Sequence, residues 1–226
     1  MQKKKGSRPN AADQTTLAPH IWPGLPLLNT VQLLNQRCIE HLANLVDPSS
    51  PVVGSPATEV LHEFRTQITA RVCERAARCP ILLMSLNFNR SDWWGPAENS
   101  VQKPLHLDTF ALFTKEVAST LLREILVEAW SLGRTMPRET SLIFGMTPAV
   151  TRAIVGLSVQ EIDHVTANHA VVLRPRWEQC RTFWRGLLRA AIGSDDEALI
   201  NAQLHSLSLL WGGRPSLRGS GTCGSG

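Results

Sequence analysis

The chain has no tyrosine, no C-x-x-C pair, no run of eighteen apolar residues and none of the common catalytic signatures. Each absence removes a class of protein. Without an apolar run of that length there is no membrane span. Lys3-Lys4-Lys5 has no apolar stretch behind it, so the N-terminus does not read as a secretory signal. The five cysteines, Cys38, Cys73, Cys79, Cys180 and Cys223, are odd in number and irregular in spacing. They read as buried free thiols of a reducing cytosol rather than as zinc ligands, which places the protein in the cytoplasm. There is no phosphate-binding loop, no G-x-S-x-G and no H-E-x-x-H. His164 and His169 stand five apart, poor geometry for one metal. Cys38 and His41 share a helix face, but the periodicity turns Cys38 inward. The expectation is therefore a protein that is not an enzyme and carries no metal or cofactor.

What is present points to folded helices. A hydrophobic content of 43% supports an ordinary core, and 19% charged residues argues against a largely disordered chain. Seven tryptophans supply rings that build cores and interfaces. The net charge of +4 and a pI near 9.0 permit nucleic-acid binding without demanding it. The composition divides the chain into a basic tail (1–19), a helical region (20–103), a second helical domain (104–212) and a Gly/Ser tail (213–226). Each helical half has apolar stripes of its own, so the halves are expected to fold independently. The fold class expected is all-α.

The stripes place the helices. Val31, Leu34, Cys38, Leu42 and Leu45 predict a helix over 30–46. Val60, Leu61, Phe64, Ile68, Val72 and Ala76 predict one continuous helix over 57–79, with Arg65, Arg71, Arg75 and Arg78 on its outer face. Pro80 to Met84 suits a buried strand or a helical turn. Trp93 and Trp94 either pin their loop to the core or anchor a partner. Asp108 caps a helix running to Leu132, with Gly133 ending it. Its stripe of Phe110, Phe113, Val117, Leu121, Ile125 and Ala129 is widened by Leu122, Leu126 and Trp130. That width serves both the chain's own core and a second subunit. Leu122, Leu126 and Trp130 are the dimer candidates, and Leu122→Glu with Leu126→Glu is expected to give a folded monomer. The last helix, 195–210, turns Leu199, Leu204, Leu207 and Leu210 inward.

The most informative stretch is 142–177, LIFGMTPAVTRAIVGLSVQEIDHVTANHAVVLRPRW. Gly145 permits a left-handed turn. Thr147 caps a helix that starts on Pro148 and closes at Gly156. Ser158 and Glu161 form a capping box for the next helix. Asn168 ends that helix in a left-handed conformation, and 170–173 is extended. Units of this helix–turn–helix–helix kind occur in DNA-binding regulators and in plain α-bundles alike.

Phe144-Gly145-Met146, Leu157-Ser158, the helix through Ile162, then Asn168, Val171-Val172-Leu173 and Arg176-Trp177 resemble, without a gap, the centre of the FlhD family of flagellar transcriptional activator subunits. The likeness extends more loosely over 110–211. The resemblance implies a helical subunit that forms a homodimer, with Val171, Val172 and Leu173 in the dimer strand. It also implies an FlhC-like partner with which promoter DNA is bound and transcription activated. Two features depart from the family. The strand lacks the cysteine of the family's cross-dimer disulfide, and the helix before the motif is more broken.

A helix over 175–192 carries the charge. Trp177, Cys180, Trp184, Leu187, Leu188 and Ala191 lie on one side, and Arg181, Arg185 and Arg189 repeat every four residues on another. With Arg174 and Arg176, five arginines fall within sixteen residues. All five are candidate DNA contacts, since guanidinium groups suit phosphate oxygens. Pairing with acidic residues elsewhere in the fold is the alternative, and marks the second functional expectation, a helical adaptor that does not bind DNA. Exposure of the strip favours DNA; pairing with carboxylates favours the adaptor.

Overall fold

A computed structural model describes residues 26–44, 55–94 and 112–212. The expected terminal tails, the boundary at 103/104, Leu45, Asp108, Phe110 and Cys223 lie outside them. The described residues are mostly helical, in nine α-helices: α1 (Pro26–Asn44), α2 (Pro56–Phe64), α3 (Ala70–Ala77), α4 (Lys115–Thr135), α5 (Pro137–Ile143), α6 (Pro148–Val155), α7 (Val159–His169), α8 (Arg181–Ile192) and α9 (Asp196–Gly212). Two short strands, β1 (Met84–Ser85) and β2 (Arg174–Pro175), pair antiparallel, Met84 opposite Pro175 and Ser85 opposite Arg174. Among the described residues no helix is long and apolar enough to cross a membrane.

The helices on the two sides of residues 103/104 share one apolar core. Helix α4 lies at its centre, packed by α1, α6 and α7, while α8 is packed by α2, α3 and α9. Backbone bonds also join the two regions. Ala57 N donates to Glu178 O at 2.9 Å, Leu82 N to Ile143 O at 2.9 Å, Thr147 N to Phe88 O at 3.1 Å and Arg176 N to Leu83 O at 2.7 Å.

A single polar side chain organises the stretch after α3. Asn35 is fully buried on α1. Its amide nitrogen donates to Cys79 O at 3.1 Å and Ile81 O at 3.0 Å, and its oxygen accepts from Leu83 N at 2.7 Å. These bonds satisfy backbone groups that would otherwise be buried without partners. They let residues 79–83 run through the core unwound into β1.

Several expected elements take a different form. The helix over 57–79 is broken, because Arg65–Gln67 tightens into a 3-10 turn, Ile68 is extended, and Thr69 caps a fresh helix by accepting from Val72 N. The rotation this introduces turns Arg75 inward, where it is 8% exposed. There Nε donates to Ala191 O at 3.1 Å and Nη1 to Asp196 at 2.8 Å, so α3 caps the C-terminal end of α8. Helix α4 starts on Thr114 and runs through Gly133. That glycine marks a close approach, since a Cβ there would lie 2.6 Å from Val155 Cγ2. Asn168 stays helical and donates to His164 O at 2.8 Å. Residues 170–172 form a 3-10 turn instead of a strand, and Leu173 leads into β2. Helix α8 starts at Arg181 rather than at Pro175, because β2 holds Pro175 and the chain reverses at Trp177, φ 50°. On α9 only Leu199 of the four expected leucines is buried; Gln203 and Ser206 face in, and Leu204 is exposed.

Other expectations hold. Gly145 has φ +61°, Thr147 accepts from Val150 N, and the Ser158–Glu161 capping box is complete. The carboxylate of Glu161 is held below its ordinary range by the backbone and hydroxyl of Ser158. Trp93 and Trp94 are buried edge to face at 4.7 Å, with Trp94 Nε1 donating to Leu86 O, which pins the loop to the core.

Candidate nucleic-acid interface

The five arginines expected to contact DNA do not share one environment. Arg176 is inside the fold, 8% exposed. Once β2 has paired with β1, the side chain that follows must cross under the Gly145 turn. Its Nη2 donates to Phe144 O and to Met84 O, the latter at 3.2 Å. Burial pushes its pKa down to about 10, so it is still a cation at neutral pH. A Cβ on residue 145 would overlap the Arg176 guanidinium at Nη1. The glycine is thus required twice, by its backbone and by its neighbour. Arg174 is half-buried beside Glu178; burial lowers its pKa and the carboxylate partly offsets that.

Arg181, Arg185 and Arg189 do lie on the outer side of α8, as the spacing predicts. Two of them meet acids on α2. Arg181 bonds Glu59 at 2.7 Å, and Arg185 bonds Glu63. Both pairs are spaced i,i+4 and run in the same order along the two helices, so α2 and α8 lie in register, roughly parallel. The Ala57–Glu178 backbone bond fixes that register. Exposed pairs of this kind contribute only about 0–1 kcal/mol each. Their larger effect is on the field, since two of the three guanidinium charges are matched by a carboxylate. Arg189 is exposed and makes no ion pair among the described residues.

The residues expected at a dimer contact also divide. Leu122 and Leu126 are 0% exposed in a single chain, on a helix packed by α1, α6 and α7. The expected second surface of α4 is covered from within, and α1 is part of what covers it. Val172 and Leu173 are buried. Trp130 is partly buried; its Nε1 donates to Leu157 O at 2.9 Å and the Arg134 guanidinium lies 4.8 Å from its ring. Val171 is 48% exposed and is the most accessible of the six.

The sequence pattern does not single out a second group of cations. Arg134 on α4, Arg138 on α5 and Arg152 on α6 are all exposed, and none makes an ion pair among the described residues. Close packing at Gly133 brings their three helices together, since a Cβ on that glycine would contact Val155 and Thr151 of α6 and Thr140 of α5. The arginines fall on three separate helices, so no single-helix periodicity reports them.

The cysteines Cys38, Cys73, Cys79 and Cys180 are buried and form no disulfide, and burial raises the thiol pKa of Cys38 and Cys79. Among the described residues no three His, Cys, Asp or Glu side chains are grouped to hold a metal ion. The described residues form a mostly helical protein with a charged outer helix and three further exposed arginines on α4, α5 and α6. Comparison of the chain with protein-family models, with curated proteins and with solved structures gives no match in any of the three.

Proposed function

We propose that this chain is a subunit of a bacterial transcription regulator of the FlhD-like type, acting as a dimer with an FlhC-like partner on promoter DNA. The observation that carries the reading is the local geometry of residues 142–177. Of the positions on which the resemblance rests, Gly145 is left-handed and Ser158 opens the helix through Ile162, whereas Asn168 and residues 171–172 take a form other than the expected one. This supports the reading through order and spacing, not through any contact with DNA. In this reading phosphate is met by Arg134, Arg138 and Arg152 on α4, α5 and α6 and by Arg189. Arg176 is a structural residue, and a second copy docks near Val171 rather than on Leu122 and Leu126.

A second reading, a helical adaptor that does not touch DNA, is favoured by the ion pairs Arg181–Glu59 and Arg185–Glu63, which match the strip with carboxylates. The test begins with co-purification from a bacterial host and identification of what comes with the chain. The complex is then titrated on duplex DNA at several salt concentrations. It is compared as wild type, as an Arg134/Arg138/Arg152→Ala variant and as an Arg181/Arg185/Arg189→Ala variant. Each lost phosphate contact reduces the salt slope by about one. The Arg134/Arg138/Arg152 variant is expected to lose affinity on all sequences and to flatten the slope by about three, while the strip variant changes it by about one. Equal affinities and slopes in all three proteins would refute the DNA role and leave the adaptor.

A further inference from the structure

A groove of about 490 Å³ lies between α8 and α9, with Phe183, Gly186 and Ala190 on one wall and Ala198 and Ala202 on the other. Its volume lies within the range of about 300–1,000 Å³ typical of small-molecule sites. Gly186 is the informative residue. It sits in the interior of α8, where glycine is among the poorest choices for helix stability. A Cβ at this position would meet nothing within 4 Å. No neighbour forces glycine here; its effect is to leave the helix backbone open to the groove. The alanines opposite keep the second wall equally low, and the Phe183 ring lies beneath the floor, 1% exposed and edge-on to His205 at 5.8 Å.

The polar groups around this apolar floor are not balanced. Arg189 lines the groove and makes no ion pair among the described residues. Asn201 and His205 add polar groups from α9. The one acid in the lining, Asp195, is turned onto the α9 N-terminus, where its Oδ1 accepts from Glu197 N at 2.9 Å and Ala198 N at 3.3 Å and the helix dipole offsets its charge. What the groove lacks is an anion attached to a flat apolar body. We infer that it binds a small aromatic carboxylate. The ring lies on the Gly186 and Ala202 surfaces, above the buried Phe183, and the carboxylate takes paired hydrogen bonds from the Arg189 guanidinium. The site shares Arg189 with the DNA reading but does not rest on it, since the probe is titrated without DNA, and it would give the protein a small-molecule input.

The probe is 2-naphthoate, with the neutral 2-naphthamide as its counterpart, titrated into the full chain while backbone amide resonances are followed by NMR. Naphthoate is expected to shift the amides of Gly186, Ala198 and Ala202 saturably, and to bind about tenfold tighter than naphthamide. Arg189→Gln is expected to remove that difference. Gly186→Leu is expected to abolish binding of both compounds without lowering the melting temperature, because its Cβ meets nothing within 4 Å, leucine is a better helix former than glycine, and the rest of the side chain occupies the groove. Equal affinities for acid and amide would overturn the inference. So would shifts centred away from α8 and α9, no shifts at millimolar probe, or a Gly186→Leu protein that binds as wild type does.

Discussion

Gly145→Ala is the most demanding test of how the 142–177 unit is built. An alanine at φ +61° carries left-handed strain of about 1–2 kcal/mol. It also places a methyl group on top of Arg176 Nη1, so the guanidinium must leave its site. Leaving breaks the bonds to Met84 O and Phe144 O, each worth about 1.5–3 kcal/mol because the donor is charged. The expected loss is about 4 kcal/mol or more, a shift of roughly 2 M in the urea midpoint at an ordinary slope. In an Arg176→Met background there is no guanidinium to displace, and Gly145→Ala should then cost only the backbone strain of about 1–2 kcal/mol. The double-mutant cycle should therefore give a coupling of about 3 kcal/mol. The assay is urea unfolding of the four proteins, followed by circular dichroism. If Gly145→Ala does not fold alone, recovery of a cooperative transition on adding Arg176→Met tests the same coupling. Additive costs, or a Gly145→Ala cost below about 1 kcal/mol, would refute the account of both residues.

Two further outcomes follow from burial. Leu122→Glu or Leu126→Glu should unfold the chain instead of releasing a folded monomer, because either carboxylate enters a site with no water and no partner, at a cost of several kcal/mol; a variant with an intact near-ultraviolet dichroism spectrum and a cooperative melt would count against the shared core. Cys38 and Cys79 should resist a thiol reagent until denaturant is added, since both are fully enclosed and their thiolates are disfavoured; modification of either at native conditions, located by peptide mass analysis, would place those thiols nearer the surface than α1 and the 79–83 segment allow.

The parts of the fold legible in the sequence are those with a short-range signature. Thr147 before Pro148, Ser158 before Glu161, and Gly145 act within one turn, and each does what its local chemistry demands. The inner stripes of α1, α4 and α8 are legible as well, because period and burial agree there. Residues whose role depends on a distant partner are not. Nothing near Asn35 announces that it satisfies backbone groups more than forty positions away. Arg75 reads as an outer-face cation until Thr69 resets the helix phase. Arg176 reads as a phosphate ligand until β2 pulls it under Gly145, and whether Arg181 and Arg185 are paired stays open until α2 brings up Glu59 and Glu63. The width of the α4 stripe is visible in the sequence; that α1 fills part of it emerges only from the packing.

The pairing of β1 with β2 has a consequence for how the protein is made. Met84 O waits for Arg176, 92 residues further along the chain. At about 5–20 residues per second, that interval is roughly 5–20 s of synthesis. Throughout it, α1, α2 and α3 have only one another to pack on, without α4 and α8 to cover the rest of their apolar faces, and Leu82 N and Leu83 O wait for Ile143 and Arg176. The nascent chain therefore passes through a stage in which its first third is complete, apolar and unprotected, and its solubility then depends on what the ribosome and its chaperones hold against it.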